Sequence, residues 1–287
     1  MERYFKNAPL EIVELWYQFE AGYCLKSVMI RGHEWQYIHT GHGVRPLVLL
    51  PGEERFAEYW FRLIWSMQKD QQLLAVTLPP LNSIQDFTQD LVELLDHLGI
   101  VEVDLLGAAL GGCIAQEFVR SHPQRVHHLI MANSYTPRCR TPQMCRLYAA
   151  VNPFMPALYL RTLKRLHLRA LVSSTKREHS FWQGLGELLY DRYLAQASKP
   201  ALLSPVRALA DFARYSHYGL RDLADWPGRI MILESINDPG ASESCRKSLN
   251  MLYPQATLHT LANSGHTPGY SMPVGISVLV DSFLQRL

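Results

Sequence analysis

The chain has 287 residues, of which 48% are hydrophobic and 19% charged, and its net charge is +2. That length suits one large α/β domain, or a core domain with an insertion, and the composition supports a sizeable core. The near-balanced charge argues against an extended nucleic-acid footprint: the one basic cluster, RTLKRLHLR at 161–169, is short and reads as the solvated face of a helix.

The first residues, MERYFKNAPLEIVELW, carry acidic side chains where the apolar stretch of a signal peptide would lie. No stretch approaches the roughly 18 uninterrupted apolar residues of a membrane span, so none is expected. Five cysteines (Cys24, Cys113, Cys139, Cys145 and Cys245) form no C-x-x-C pair, and the odd count suits free thiols in a reducing compartment. A cytoplasmic protein is the expectation. Cys139 and Cys145 have no histidine nearby in ligand spacing, so no metal is expected either.

Along the chain, CLKSVMIRGHEWQYIH (24–39) shows two β-rich runs broken by Arg31-Gly32, which predicts a hairpin. PLVLLPG (46–52) and QLLAVTLPPL (72–81) are short apolar runs of the kind that form strands buried on both faces. FAEYWFRLIWSMQ between them has helical spacing. SIQDFTQDLVELLDHLGI (83–100) is the clearest amphipathic helix, with Ser83 as the expected N-cap and Phe87, Leu91, Leu94, Leu95 and Leu98 on one face. Then come a strand, VEVDLL, a helix, GGCIAQEFVRSH, and a further buried strand, VHHLIMANS. Alternating strands and helices predict a mostly parallel central sheet with helices on both faces.

From about Tyr135 to His217 the alternation stops, and a helical segment rich in Arg, Tyr and Leu predicts an insertion. The alternation returns with RIMILESIND, a helix through ESCRKSLNMLYP, the strand ATLHTLA, the loop NSGHTPGY and a last helix from Pro273. The expected organisation is therefore a core of residues 1–134 and 218–287 and a helical cap of 135–217.

The turn GAALGG (107–112) joins a buried strand to a helix. It matches the G-x-S-x-G nucleophile elbow at every position but the third, where Ala109 replaces serine. The glycines Gly107, Gly111 and Gly112 let the backbone fold that sharply. The turn lacks the Lys-Ser/Thr of a phosphate loop, and no nucleotide fingerprint stands near the N-terminus, so no cofactor is expected. Downstream, Asp238 and His266 follow predicted strands in the order nucleophile, acid, histidine. LPGEE (50–54) stands where an oxyanion loop would lie, making the N–H groups of Gly52 or Glu53 and of Leu110 the candidate donors. Its glycine follows Pro51, where a histidine is usual.

These motifs make the chain resemble the α/β-hydrolase fold over essentially its whole length. Within it, LLDHLGI, LLGAALGGCIAQEF, RVHHLIMANSY, NPFMPALYL and MLYP resemble the maspardin family. That resemblance implies a hydrolase-fold protein acting more as a binding partner than as an enzyme. The elbow of that family carries serine where this chain has Ala109, and its last loop lacks a clear histidine, whereas this chain has His266.

Without a nucleophile no acyl-enzyme forms. Three readings follow: a Ser→Ala inactivated esterase or thioesterase; a non-covalent His266–Asp238 general base serving as lyase, cyclase or cofactor-free oxygenase; or a silent scaffold. The cap aromatics (Tyr148, Phe154, Tyr159, Phe181, Trp182, Tyr190 and Tyr193) are expected to face an apolar cavity in part, which suits a small apolar acyl-type ligand. A protein partner or a homodimer is compatible with the same sequence. His39, His42, His127 and His128 are expected to be structural or surface groups.

Overall fold

The computed structural model describes residues 2–171, 178–266, 269 and 272–285. Its strands are β1 (Lys26–Ile30), β2 (His33–Thr40), β3 (Leu47–Leu50), β4 (Leu73–Thr77), β5 (Val103–Ala108), β6 (Val126–Ala132), β7 (Arg229–Ser235) and β8 (Thr257–Leu261). They form one sheet in the order β1-β2-β4-β3-β5-β6-β7-β8. β2 runs antiparallel to β1 and β4, and the remaining neighbours are parallel. Around it lie α1 (Leu10–Gly22), α2 (Phe61–Met67), α3 (Ile84–His97), α4 (Leu110–Ser121), α5 (Arg140–Val151), α6 (Ala157–Leu171), α7 (His179–Leu189), α8 (Lys199–Tyr215), α9 (Glu243–Leu252) and α10 (Pro273–Gln285).

β3 shows why the sheet is covered on both sides. All four of its residues are fully buried. Val48 and Leu50 pack into one core with Leu91 and Leu94 of α3, Phe118 of α4 and Phe212 of α8. Leu47 and Leu49 pack into a second core with Trp16 of α1, Phe61 of α2 and Val280 of α10. Adjacent residues of a strand point to opposite faces, so a continuous apolar run needs a helix layer on each. Each such Leu contributes about 1.5–3 kcal/mol by its burial. α1, which has no counterpart among the predicted elements, supplies much of the second layer through Trp16 and Phe19.

At the hairpin, Arg31 and Gly32 have φ of 49° and 83°, the double left-handed geometry that matches the twist of a two-residue β-turn. Ser83 does sit at the N-cap of α3, yet its side chain makes no capping bond. Asp211 of α8 reaches across instead and accepts from Ile84 N at 2.9 Å, so a long-range carboxylate takes the local hydroxyl's place.

One further expectation needs correction. Cys139 is disulfide-bonded to Cys245, leaving Cys24, Cys113 and Cys145 as free thiols. The bond ties the loop before α5 to α9 across 106 residues of sequence, a pairing invisible to local spacing. The seven aromatics of the 135–217 segment divide between the interior and the surface. Phe181 and Trp182 are fully buried against Phe61, with ring centroids 5.7 and 5.6 Å away. Tyr193 stacks on Phe56 at 4.7 Å, and Tyr190 packs half-buried against the second core. Tyr148, Phe154 and Tyr159 face solvent.

Candidate functional site

The strand order reverses around β3, with β4 on one side and β5 on the other. At such a switch point the loops leaving the carboxyl ends diverge and open a crevice. Leu50 lies in register with Gly107, so the LPGEE loop and the GAALGG turn leave the sheet side by side.

Ala109 has φ 45° and ψ −110°, a conformation rarely adopted by a residue with a Cβ. Strain of this kind costs on the order of 1–3 kcal/mol and persists only where the surroundings enforce it. Here Ala109 N donates to Ala132 O at 3.0 Å, and the Ala109 carbonyl accepts from Cys113 N and from Ser134 Oγ at 3.2 and 3.1 Å. The glycines permit the approach: a Cβ on Gly111 would collide with the Leu50 carbonyl, and one on Gly107 with the Gly111 backbone. Leu110 then opens α4, so its N–H belongs to the unpaired first turn of a helix.

Asp238 and His266, 28 residues apart, follow β7 and β8 at the same edge of the sheet. His266 Nδ1 lies 2.7 Å from Asp238 Oδ1, which also accepts from Gly240 N at 2.7 Å. Both side chains are buried. A Cβ on Gly240 would press on the imidazole at 2.8 Å, so the ring fits only because that residue is glycine.

The side chains of the LPGEE loop bring charge that the motif did not foretell. Glu54 Oε1 accepts from Gly52 N at 3.0 Å, so one candidate oxyanion donor is already engaged by a carboxylate of the chain itself. Glu53 Oε2 lies 3.9 Å from His266 Nε2, and Tyr135 donates its hydroxyl to Glu53 Oε1 at 3.3 Å. Burial opposes a charge on His266, yet its bond to Asp238 and the nearby Glu53 carboxylate outweigh that and raise its pKa to about 10. The two carboxylates therefore favour the protonated ring. From α6, Lys164 is coupled to the same carboxylate: burial lowers its amine to about 8, while Glu53 opposes the shift.

Asn133, at φ 45° just past β6, is a further structural part of the site. Its amide nitrogen donates to Ser235 Oγ, Gly265 O and His266 O at 3.0, 2.9 and 2.8 Å, while its oxygen accepts from Ser235 N at 2.8 Å. Asn237 Oδ1 accepts from Gly265 N at 3.0 Å. Two asparagines thus clamp the histidine loop to the ends of β6 and β7. The sequence signal available for Asn133 was its place directly after a strand, where Asn tolerates a left-handed backbone.

Of the other histidines, His128 is buried near the opposite, amino edge, where its Nδ1 lies 2.7 Å from Asp104 Oδ1. His127 lies beside both, and the three side chains converge closely enough to be compared with a metal site. Arg229 Nε, however, donates to His128 Nε2 at 3.1 Å. That leaves the proton on Nδ1, the nitrogen a metal would need. His39 is half-buried and bonded to Gln72 at 2.9 Å, and His42 is exposed.

A family model described as the alpha/beta hydrolase family matches residues 42–277. Maspardin of Homo sapiens is 26% identical over 244 residues, covering 83% of this chain and 74% of that protein. The putative carbamate hydrolase RutD of Caulobacter segnis is 21% identical over 252 residues, covering 83% and 86%. Among solved structures, a Ser-to-Ala mutant of the meta-cleavage product hydrolase CumD from Pseudomonas fluorescens IP01, complexed with acetates, superposes with a TM-score of 0.71. It is 19% identical, and the match covers 90% of this chain and 97% of that one.

Proposed function

Because this chain belongs to the alpha/beta hydrolase family, we propose that it carries a hydrolase-type site silenced at its nucleophile, which binds a small apolar ester or thioester without acylation. The observation that carries this reading is the backbone of Ala109. An ordinary strand-to-helix turn would place glycine at φ 45°, whereas this one holds a Cβ there under strain, as an elbow does for a projecting nucleophile. Asp238 and His266 stand at the same edge as its acid and histidine, with the Leu110 N–H as an oxyanion donor and the 135–217 segment as the cap.

The general-base reading is less well supported. A histidine whose pKa is raised to about 10 by two carboxylates is a poor proton acceptor at neutral pH. The scaffold reading gains from Glu53 and Glu54: two carboxylates beside a developing oxyanion would oppose turnover. As for location, no described helix is long and apolar enough to cross a membrane. The Cys139–Cys245 bond weighs against a reducing compartment.

Reaction with a fluorophosphonate tests the proposal. The alanine protein should remain unlabelled, the Ala109→Ser variant should be labelled at residue 109, and His266→Ala should abolish that labelling. A folded Ala109→Ser protein that resists the probe even at alkaline pH would transfer the conclusion to a pure scaffold.

A further inference from the structure

The stretch from Tyr135 to Arg177 contains nine Lys and Arg residues and no Asp or Glu, in a chain whose overall net charge is only +2. Its apolar residues are not all spent on the core. Phe154 is 86% exposed, Leu158 74% and Leu147 64%. Leu147 and Val151 are one helical turn apart on α5, and Tyr159, Leu163 and Leu166 recur at helical spacing on α6, all exposed. Phe154 lies between the two helices, so the exposed apolar positions run on through the turn that joins them.

A groove of about 750 Å³ between α5 and α8 adjoins this face, with Arg146, Arg207 and Arg214 among the residues lining it. Asp211, also on its wall, already caps α3 through Ile84 N. Arg207 is half-buried and makes no ion pair or hydrogen bond among the described residues. Exposed Leu, Phe and Tyr interleaved with arginines, on helices that lack acids, are the composition of a surface that settles into a lipid interface.

We propose that this face of the cap docks on an anionic lipid surface, with Phe154 and Leu158 entering the acyl boundary and the arginine groove receiving a headgroup phosphate. Charge selects this occupant over a second copy of the chain. A two-fold contact through this face would set the acid-free segments against each other, and like charges across an interface oppose association. The inference does not depend on what the Ala109 site binds.

Co-sedimentation of the whole chain with vesicles tests it, using phosphatidylcholine alone and phosphatidylcholine with about a third phosphatidylserine. The protein should pellet with the anionic vesicles and not the neutral ones, and binding should fall as salt rises from about 0.1 to 0.5 M. Phe154→Ser combined with Leu158→Ser should weaken it, and Arg214→Glu should do so by at least about fivefold. These side chains are exposed, so unchanged melting curves should confirm that the variants fold. Equal binding to both vesicle types, binding to neither, or binding indifferent to these substitutions would overturn the proposal. A lipid-free dimer that dissociates on Phe154→Ser would instead assign the face to a second copy.

Discussion

Replacing Ala109 by serine adds one oxygen to a turn that already holds the elbow backbone, so the variant should fold like the parent. Its reactivity should then be governed by His266, whose pKa of about 10 means the proton stays on until the solution is strongly alkaline. At pH 7 only on the order of one ring in a thousand is free to take the serine proton. Labelling of Ala109→Ser by a fluorophosphonate should therefore be slow at pH 7 and rise about tenfold per pH unit up to pH 9, levelling near pH 10. Removing one of the two carboxylates that hold the proton should move this profile downward. Glu53→Gln in the serine background should raise the pH 7 rate by about tenfold or more, the effect of one pKa unit. The assay is intact-mass detection of the adduct over time, with the alanine protein as the blank at each pH. A flat rate between pH 7 and 9, or a profile that Glu53→Gln leaves in place, would refute the coupling of Glu53 to His266.

Intact-mass alkylation without reductant should modify three cysteines of the unfolded chain and all five after reduction, since Cys139 and Cys245 are bonded. Cys139→Ser combined with Cys245→Ser should lower stability by up to about 4–5 kcal/mol in denaturant titrations, given the 106-residue separation. Gly111→Ala forces a methyl into the Leu50 carbonyl and should cost at least about 2 kcal/mol, read as a lower urea midpoint. Asp211→Ala removes the acceptor for Ile84 N and should cost about 1 kcal/mol by the same measurement, while Ser83→Ala should cost less because its hydroxyl makes no capping bond.

Features governed by neighbours in sequence were readable from it. The spacing of Gly107, Ala109 and Gly111 expresses a steric requirement that operates within five residues, so the sharp turn was legible. The strand runs were legible for a similar reason, because a buried parallel strand must be apolar on both faces. Features set by the meeting of distant segments were not. Glu53 and Glu54 looked like a loop that would offer backbone N–H groups, and only the path of that loop shows their carboxylates turned onto His266 and Gly52. The Asp211 cap on α3 spans 127 residues, and Asn133 makes two hydrogen bonds to the histidine loop while also bonding Ser235 at the end of β7. The disulfide likewise depends on where α9 falls relative to the start of α5.

The order of the strands has a consequence for biosynthesis. His266 follows β8, the last strand, which pairs with the sheet only along β7. A nascent chain that has just exposed Asp238 already contains the residues of the elbow, but lacks the histidine that Asp238 bonds. During that interval Asp238 and Glu53 lack the imidazole that lies between them in the finished chain. Arrival of the histidine segment supplies that imidazole as the sheet is completed. The final segment thus links closure of the fold to completion of the charge cluster, and a chain released early would be left with neither.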